Sequence, residues 1–244
     1  MPIIDGCVFL GRDREIDLSP EALIEQMDAC GVEAALVMPL DRACAVDCRE
    51  GNESMLRTCL RFPQRLIPTC TANPWYAERA SEEVRRAAGA GAQVLVLHPS
   101  VQGFNLNDEL ADPLCCMAEE LALVVYAHTG CPQQGAPLQL AELALRWPRV
   151  RFIMGHCGAT DFWPDVPEAC RLATNIYLES SMARPSIFAS HLERVGHDRG
   201  IAGSGAPLND LALEWRSLKE AIPPQHWGRV AGGTLASLLA GRGG

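Results

Sequence analysis

The chain has no Cys-x-x-Cys pair, although it carries 11 cysteines among its 244 residues. The closest pairs, Cys44/Cys48 and Cys115/Cys116, have spacings that no zinc ribbon or dithiol redox motif uses. No basic stretch leads into an apolar segment at the N-terminus, where Asp5 interrupts a short apolar run. A cytoplasmic protein with reduced, mostly buried thiols is expected. No apolar run approaches the roughly 20 residues of a membrane span; the longest, residues 121–127, is far shorter, so no membrane partner is expected. Positive charge is also short, with 21 Lys+Arg against 30 Asp+Glu and a formal net charge of −9. That argues against nucleic acid as the main partner, because phosphate binding needs a basic footprint. A Gly-rich phosphate loop after the first apolar run is missing, which weighs against a doubly wound dinucleotide-binding sheet.

What is present is ordinary globular composition, 48% hydrophobic and 21% charged, in a regular alternation. Short apolar runs at 3–10, 34–38, 66–70, 93–98, 122–128, 150–156, 175–180 and 200–204 read as strands buried on both faces. Between them lie stretches with helix signals. Ser19-Pro20-Glu21 is an N-cap, a first-turn proline and a first-turn acid, and Gly31 closes that helix. Asn52 is read as the cap of a second helix running to Arg61. Further helices are expected at 79–88, from Pro113, at 138–146, 185–195 and 209–221, and at 235–240. Eight strand–helix units predict an α/β fold, a single, somewhat distorted (β/α)8 TIM-type barrel domain over 1–244. The longer segments 39–51 and 99–112 follow strands and are expected as loops at the C-terminal mouth, where such barrels build their sites.

Three of the six histidines close successive apolar runs: His98, His128 and His156. At the ends of strands 4, 5 and 6 they are expected to converge on one cavity as acid, base and hydrogen-bond donors. Glu179, closing strand 7, is a candidate acid or base. Arg184, just beyond it, is a candidate clamp for a substrate carboxylate, and Cys7 on strand 1 a candidate substrate contact. Cys131 and Cys157 stand near the same mouth and read as small buried filler. His191, His197 and His226 read as surface or capping residues. A mouth plugged by Phe9, Phe104 or Trp163 would argue against catalysis.

The ordered set His128-Thr-Gly, Gly155-His156-Cys-Gly, Asn175-Ile-Tyr-Leu-Glu-Ser-Ser, Ile201-Ala-Gly-Ser-Gly-Ala-Pro and Gly232-Gly-Thr-Leu-Ala-Ser-Leu-Leu resembles the amidohydrolase-related branch of the amidohydrolase superfamily. That branch includes aminocarboxymuconate-semialdehyde decarboxylase, γ-resorcylate decarboxylase and a pyrone-dicarboxylate lactonase. The resemblance implies a metal-binding barrel, with His128 matching a metal ligand and His156 a ligand or acid–base residue. The family opens with Ile-Asp-x-His-x-His; here Cys7 and Phe9 stand in place of the two histidines. Its strand 8 ends Gly-Ser-Asp; here Gly205 replaces the carboxylate. No metal and no other cofactor is therefore expected. The first reading is a catalytically reduced or inactive paralogue, acting as a small-molecule-binding subunit or as partner to an active paralogue, and otherwise a homo-oligomer. The second is a metal-independent hydrolase or decarboxylase of a small carboxylate, worked by the remaining histidines. The third is a metal-dependent hydrolase with a site remodelled around Cys7, His128 and His156.

Overall fold

The computed structural model describes residues 1–130 and 132–241; Cys131 lies outside them. Eight strands form one parallel sheet in sequential order: β1 (Ile4–Phe9), β2 (Ala34–Met38), β3 (Leu66–Thr71), β4 (Val94–Leu97), β5 (Val124–His128), β6 (Phe152–Gly155), β7 (Ile176–Glu179) and β8 (Gly200–Ile201). The sheet rolls into a TIM barrel with helices outside. Its last strand is much shorter than the 200–204 run predicts. Beyond Ile201 the chain leaves regular strand geometry, yet it still closes the barrel on β1. Gly6 N donates to Ala202 O (2.8 Å), Phe9 N to Ala206 O (2.7 Å) and Gly205 N to Cys7 O (2.9 Å).

Asp5 locks this seam. Its buried carboxylate accepts from Ser204 N at 2.9 Å, Cys7 N at 3.1 Å and the Trp215 indole at 2.9 Å. Burial raises its pKa to about 6, and those same donors hold it from rising further.

Period-two alternation sorts the strands into two cores. Val94 and Val96, Val124 and Tyr126, and Ile153 pack inside the barrel with Cys7 and Phe9. Leu95, Leu97, Val125, Ala127, Phe152 and Met154 face the helices. The first helix keeps both of its capping signals. Ser19 Oγ accepts from Ala22 N at 3.2 Å at the head of α1 (Pro20–Cys30), and Gly31 takes a left-handed φ of 70° at its end.

Two local expectations are corrected. The segments after β2 and β4 are not plain loops: the first forms α2 (Asp41–Ala45) and the start of α3 (Cys48–Arg61), and the second begins with α5 (Pro99–Gln102), after α4 (Glu78–Gly89). Asn52 lies inside α3 rather than capping it. Its buried amide donates to Thr71 O and Glu83 and accepts from Thr71 N, which satisfies the end of β3. A fully buried Asn that supplies both a donor and an acceptor to an edge of the barrel reads in sequence like a cap, because both roles need the same short amide.

Candidate active site

Alternation carries two histidines to the mouth without further help. His98 follows Val94 and Val96 in phase, and His128 follows Val124 and Tyr126. Their rings stack with centroids 4.1 Å apart and planes 17° from parallel. Gln102 of α5 holds the first: its side-chain oxygen accepts from His98 N at 2.9 Å, while its amide nitrogen donates to Ala72 O at 3.0 Å. Ser100 Oγ lies 3.2 Å from His98 Nδ1.

His156 is out of phase with Ile153 and on strict alternation would face the helices. It reaches the mouth because the backbone turns left-handed there, with φ 64° at His156 and 50° at Cys157. Positive φ in non-glycine residues is uncommon and costs about 1–3 kcal/mol each. The turn is held by Thr129, whose hydroxyl donates to Gly155 O at 2.6 Å and accepts from Gly158 N at 3.1 Å. Gly155 is required for a second reason, since a Cβ there would overlap the Tyr126 ring.

Below the imidazoles lies Glu179, fully buried. Four donors surround its carboxylate: Ser181 N at 2.6 Å, Ser181 Oγ and Tyr126 Oη both at 2.7 Å, and His156 N at 3.2 Å. Burial raises its pKa, and the Ser181 and Tyr126 hydroxyls with the two backbone N–H groups oppose the rise. Gly203 makes the room, because a Cβ there would overlap the carboxylate itself.

A continuous hydrogen-bonded run links this acid to the cavity. His156 Nδ1 lies 2.9 Å from Ser181 Oγ, and His156 Nε2 lies 2.7 Å from His128 Nδ1. The proton positions follow from counting donors and acceptors. A carboxylate ringed by donors accepts only, so Ser181 gives it its one proton. Ser181 Oγ then accepts from His156 Nδ1–H. A neutral His156 has a bare Nε2, which accepts from His128 Nδ1–H. A neutral His128 is left with a bare Nε2, and that atom is buried with no partner. Burial keeps the rings neutral: it lowers His98 and His156 to about 4, and it lowers His128 well below its ordinary value, with the neighbouring imidazoles adding to the shift there. An unpaired buried acceptor costs about 1–3 kcal/mol.

The three imidazoles open on a cavity of about 370 Å³. Phe9 forms part of its wall, Arg14 and Glu15 reach in from the β1–α1 connection, and Asp13 and Asp41 complete the rim. Of Phe9, Phe104 and Trp163, Phe9 alone lines the mouth. Phe104 packs in the outer core, and Trp163 is half exposed against His191.

Four of the residues singled out from the sequence thus meet: His98, His128, His156 and Glu179. Two others do not line the cavity. Arg184 is exposed, because Met182 at φ 63° turns the chain outward after β7. The Arg184 carbonyl then accepts from Ile187 N and Phe188 N to start the helix Pro185–Val195. Cys7 is fully buried beside Glu179, Ser181 and Tyr126, and burial and the Glu179 charge push its thiol well above the usual range. Cys157 is buried, as filler should be. His191 is not a surface residue: it is buried, with neither ring nitrogen partnered. His197 and His226 stack on each other at 3.9 Å, half buried.

Sequence reasoning misses Ser181, Tyr126 and Arg14 as parts of the site. Ser181 stands two residues after Glu179, the spacing that lets a hydroxyl and a main-chain N–H return to the same carboxylate. Arg14 has no such signature, since its approach depends on the small hairpin of Gly11–Arg12 with Asp17–Leu18.

The resemblance implies a divalent ion, and the residues do not fit one. Among the described residues one group of three ligand types gathers, with Cys7, His156 and Glu179 donor atoms all within 4.8 Å of one another. Both His156 ring nitrogens and both Glu179 oxygens are already hydrogen-bonded. The one orphaned donor atom in the site, His128 Nε2, lies outside that group. Phe9 and Gly205 offer no ligand atom, whereas a catalytic zinc needs about three protein ligands and an open position.

A family model described as Amidohydrolase matches residues 13–226. No curated protein sequence matches. Among solved structures, an uncharacterised TIM-barrel protein from Bordetella bronchiseptica is 18% identical, with 93% of this chain and 84% of that one covered at a TM-score of 0.79. The 5-carboxyvanillate decarboxylase LigW from Sphingomonas paucimobilis is 17% identical, covering 98% and 99% at 0.78. A dihydroxybenzoic acid decarboxylase from a Polaromonas species, solved with manganese and 2-nitroresorcinol, is 14% identical, covering 98% and 97% at 0.78. These likenesses are of fold, and the family match spans most of the sequence: the chain belongs to the amidohydrolase family.

Proposed function

We propose that this protein is a metal-independent hydrolase in which His128 acts as general base. One observation carries the reading: the buried run Glu179–Ser181–His156–His128, which ends on a buried, unpartnered imidazole nitrogen of a residue that lines the cavity. Water placed at His128 Nε2 gives its proton to that nitrogen as its oxygen attacks a carbonyl carbon. The new positive charge on His128 is stabilised through Nδ1–H, His156 and Ser181 by the Glu179 carboxylate. When the carbonyl–leaving-group bond breaks, Nε2 returns the proton to the leaving oxygen or nitrogen. This is the base–orienter logic of a catalytic triad, extended by one imidazole and one hydroxyl.

The decarboxylase neighbours supply a second chemistry, but the tautomer disfavours it here. Replacing a carboxyl group by hydrogen needs a proton delivered to carbon, and a bare Nε2 has none to deliver. Ligand binding without turnover is favoured by one feature, the absence of a carboxylate at Gly205.

The test is ester hydrolysis by wild type and His128→Gln, with and without a chelator. Base removal costs about 10²–10⁴-fold, so a drop of at least a hundredfold is expected, with wild-type activity unchanged by the chelator. No turnover by wild type on any of a panel of esters, or activity lost to the chelator and restored by a metal, contradicts the proposal.

A further inference from the structure

The charge around the cavity says which ligands the site accepts. The rim carries Asp13, Glu15 and Asp41 against Arg14, a net of two negative charges, and all four side chains are exposed. Arg14 makes no ion pair among the described residues. Among the described lining residues no Lys or Arg besides Arg14 answers a carboxylate: burial holds the three imidazoles neutral, and the bare His128 Nε2 is left without a partner. A lone pair facing an anion is repulsive, and a carboxylate brought there gives up its water for no donor. An uncharged ligand bearing an O–H or N–H satisfies that nitrogen instead. The cavity volume suits one substituted ring, since a benzene-sized site takes about 150 Å³, and Phe9 and the His98 face offer it apolar walls.

We propose that this cavity selects an uncharged ester or amide that presents a hydroxyl or N–H donor, and rejects carboxylates, the group named in its decarboxylase structural neighbours. The inference rests on the hydrolase reading for its consequence but not for its evidence. Hydrolysis of such a substrate makes a carboxylate, which the same rim and the same lone pair then expel.

Isothermal titration calorimetry with 4-hydroxybenzamide and 4-hydroxybenzoate at neutral pH tests it, using the full chain. The amide is expected to bind at least tenfold more tightly. In the D13N/E15Q/D41N variant, whose changes are all on exposed side chains, the ratio is expected to narrow severalfold. High salt is expected to narrow it in wild type, because exposed charges are screened within about 8 Å at physiological ionic strength. Equal or tighter binding of the carboxylate, or binding of neither probe, overturns the proposal. Turnover of methyl 4-hydroxybenzoate is followed separately. Amide preference without turnover keeps the ligand class and removes the hydrolase reading; turnover with carboxylate preference does the reverse.

Discussion

The mouth of the barrel has two unequal halves. From β4 to β7 the strands pair in unbroken parallel register, and their ends carry His128, His156, Ser181 and Glu179 in one hydrogen-bonded run with His98 stacked on His128. From β8 round to β1 and β2 the order is looser: β1 shifts register against β2 between Asp5 and Val8, the last strand is two residues long, and closure of β8 on β1 falls to irregular backbone bonds. The polar groups of that half are spent on the seam: Asp5 points its carboxylate at Ser204, Cys7 and Trp215 and away from the cavity. The three positions that lack the metal-binding residue the family resemblance implies, Cys7, Phe9 and Gly205, all lie in this second half. On the proposed reading the first half binds the ligand and moves a proton, while the second holds the barrel shut. Chemistry and closure are therefore separable in this chain, and substitutions on the two sides are expected to fail in different ways.

The largest effect is expected from Glu179→Gln. The amide cannot serve as an acceptor to all four donors, so the proton positions along the run are no longer fixed. Ester turnover is expected to fall by about 10²–10⁴-fold while thermal melting shows a cooperative fold. Unchanged turnover would dissolve the distinction between the halves. Asp5→Ala is the mirror experiment. It leaves three buried donors unanswered, at about 1–3 kcal/mol each, and a loss of about 3–5 kcal/mol in urea unfolding is expected. Binding of 4-hydroxybenzamide by the folded fraction should stay within about threefold, since Asp5 does not reach the cavity.

The pH response sharpens the same division. His98, His156 and His191 are held neutral by burial with pKa values of about 4, and burial also lowers His128 well below the ordinary imidazole value. The unfolded chain binds protons near the ordinary imidazole value of about 6.5. Their contribution to stability is thus complete above about pH 6.5 and is lost as pH falls towards 4. Asp5 works the other way. Its folded pKa of about 6 lies above the ordinary carboxyl value, so its contribution is present at low pH and lost as pH rises through 6. Denaturation midpoints across pH 4–7.5 should fall on the acid side, and Asp5→Asn should steepen that fall between pH 6 and 4. A flat profile would show that the imidazoles are not held neutral. Phe9→Leu is the mildest test: a small loss of volume on the cavity wall should cost about 1–2 kcal/mol and leave turnover within a few-fold.

The two halves differ in how much of them the sequence reveals, and the reasons are physical. Alternation along short apolar runs specifies the barrel, and in the same stroke aims His98 and His128 inward. Ser19, Gly31 and the 185–195 helix follow from capping and proline rules. His156 stands at its strand end as its apolar run predicts, yet its inward aim rests on a left-handed backbone at 156 and 157 that no periodicity encodes. Arg184 looks in sequence like the substrate cation because it follows Glu179 closely, but the turn at Met182 carries it outside. Arg14 takes the rim through a hairpin too short to be read. The relay itself needs distances, since Ser181 counts as part of it only once its oxygen stands between Glu179 and His156.

The division of labour turns on one state: Glu179, through Ser181 and His156, fixes His128 as a neutral imidazole with its proton on Nδ1 and a bare Nε2. Long-range 1H–15N correlation NMR of the imidazole rings, on protein with and without a chelator at neutral pH, reads this directly. Protonation on Nδ1 in both His128 and His156, unaffected by the chelator, is the result expected. A His128 protonated on Nε2, or ring nitrogens that shift when metal is removed, would contradict it.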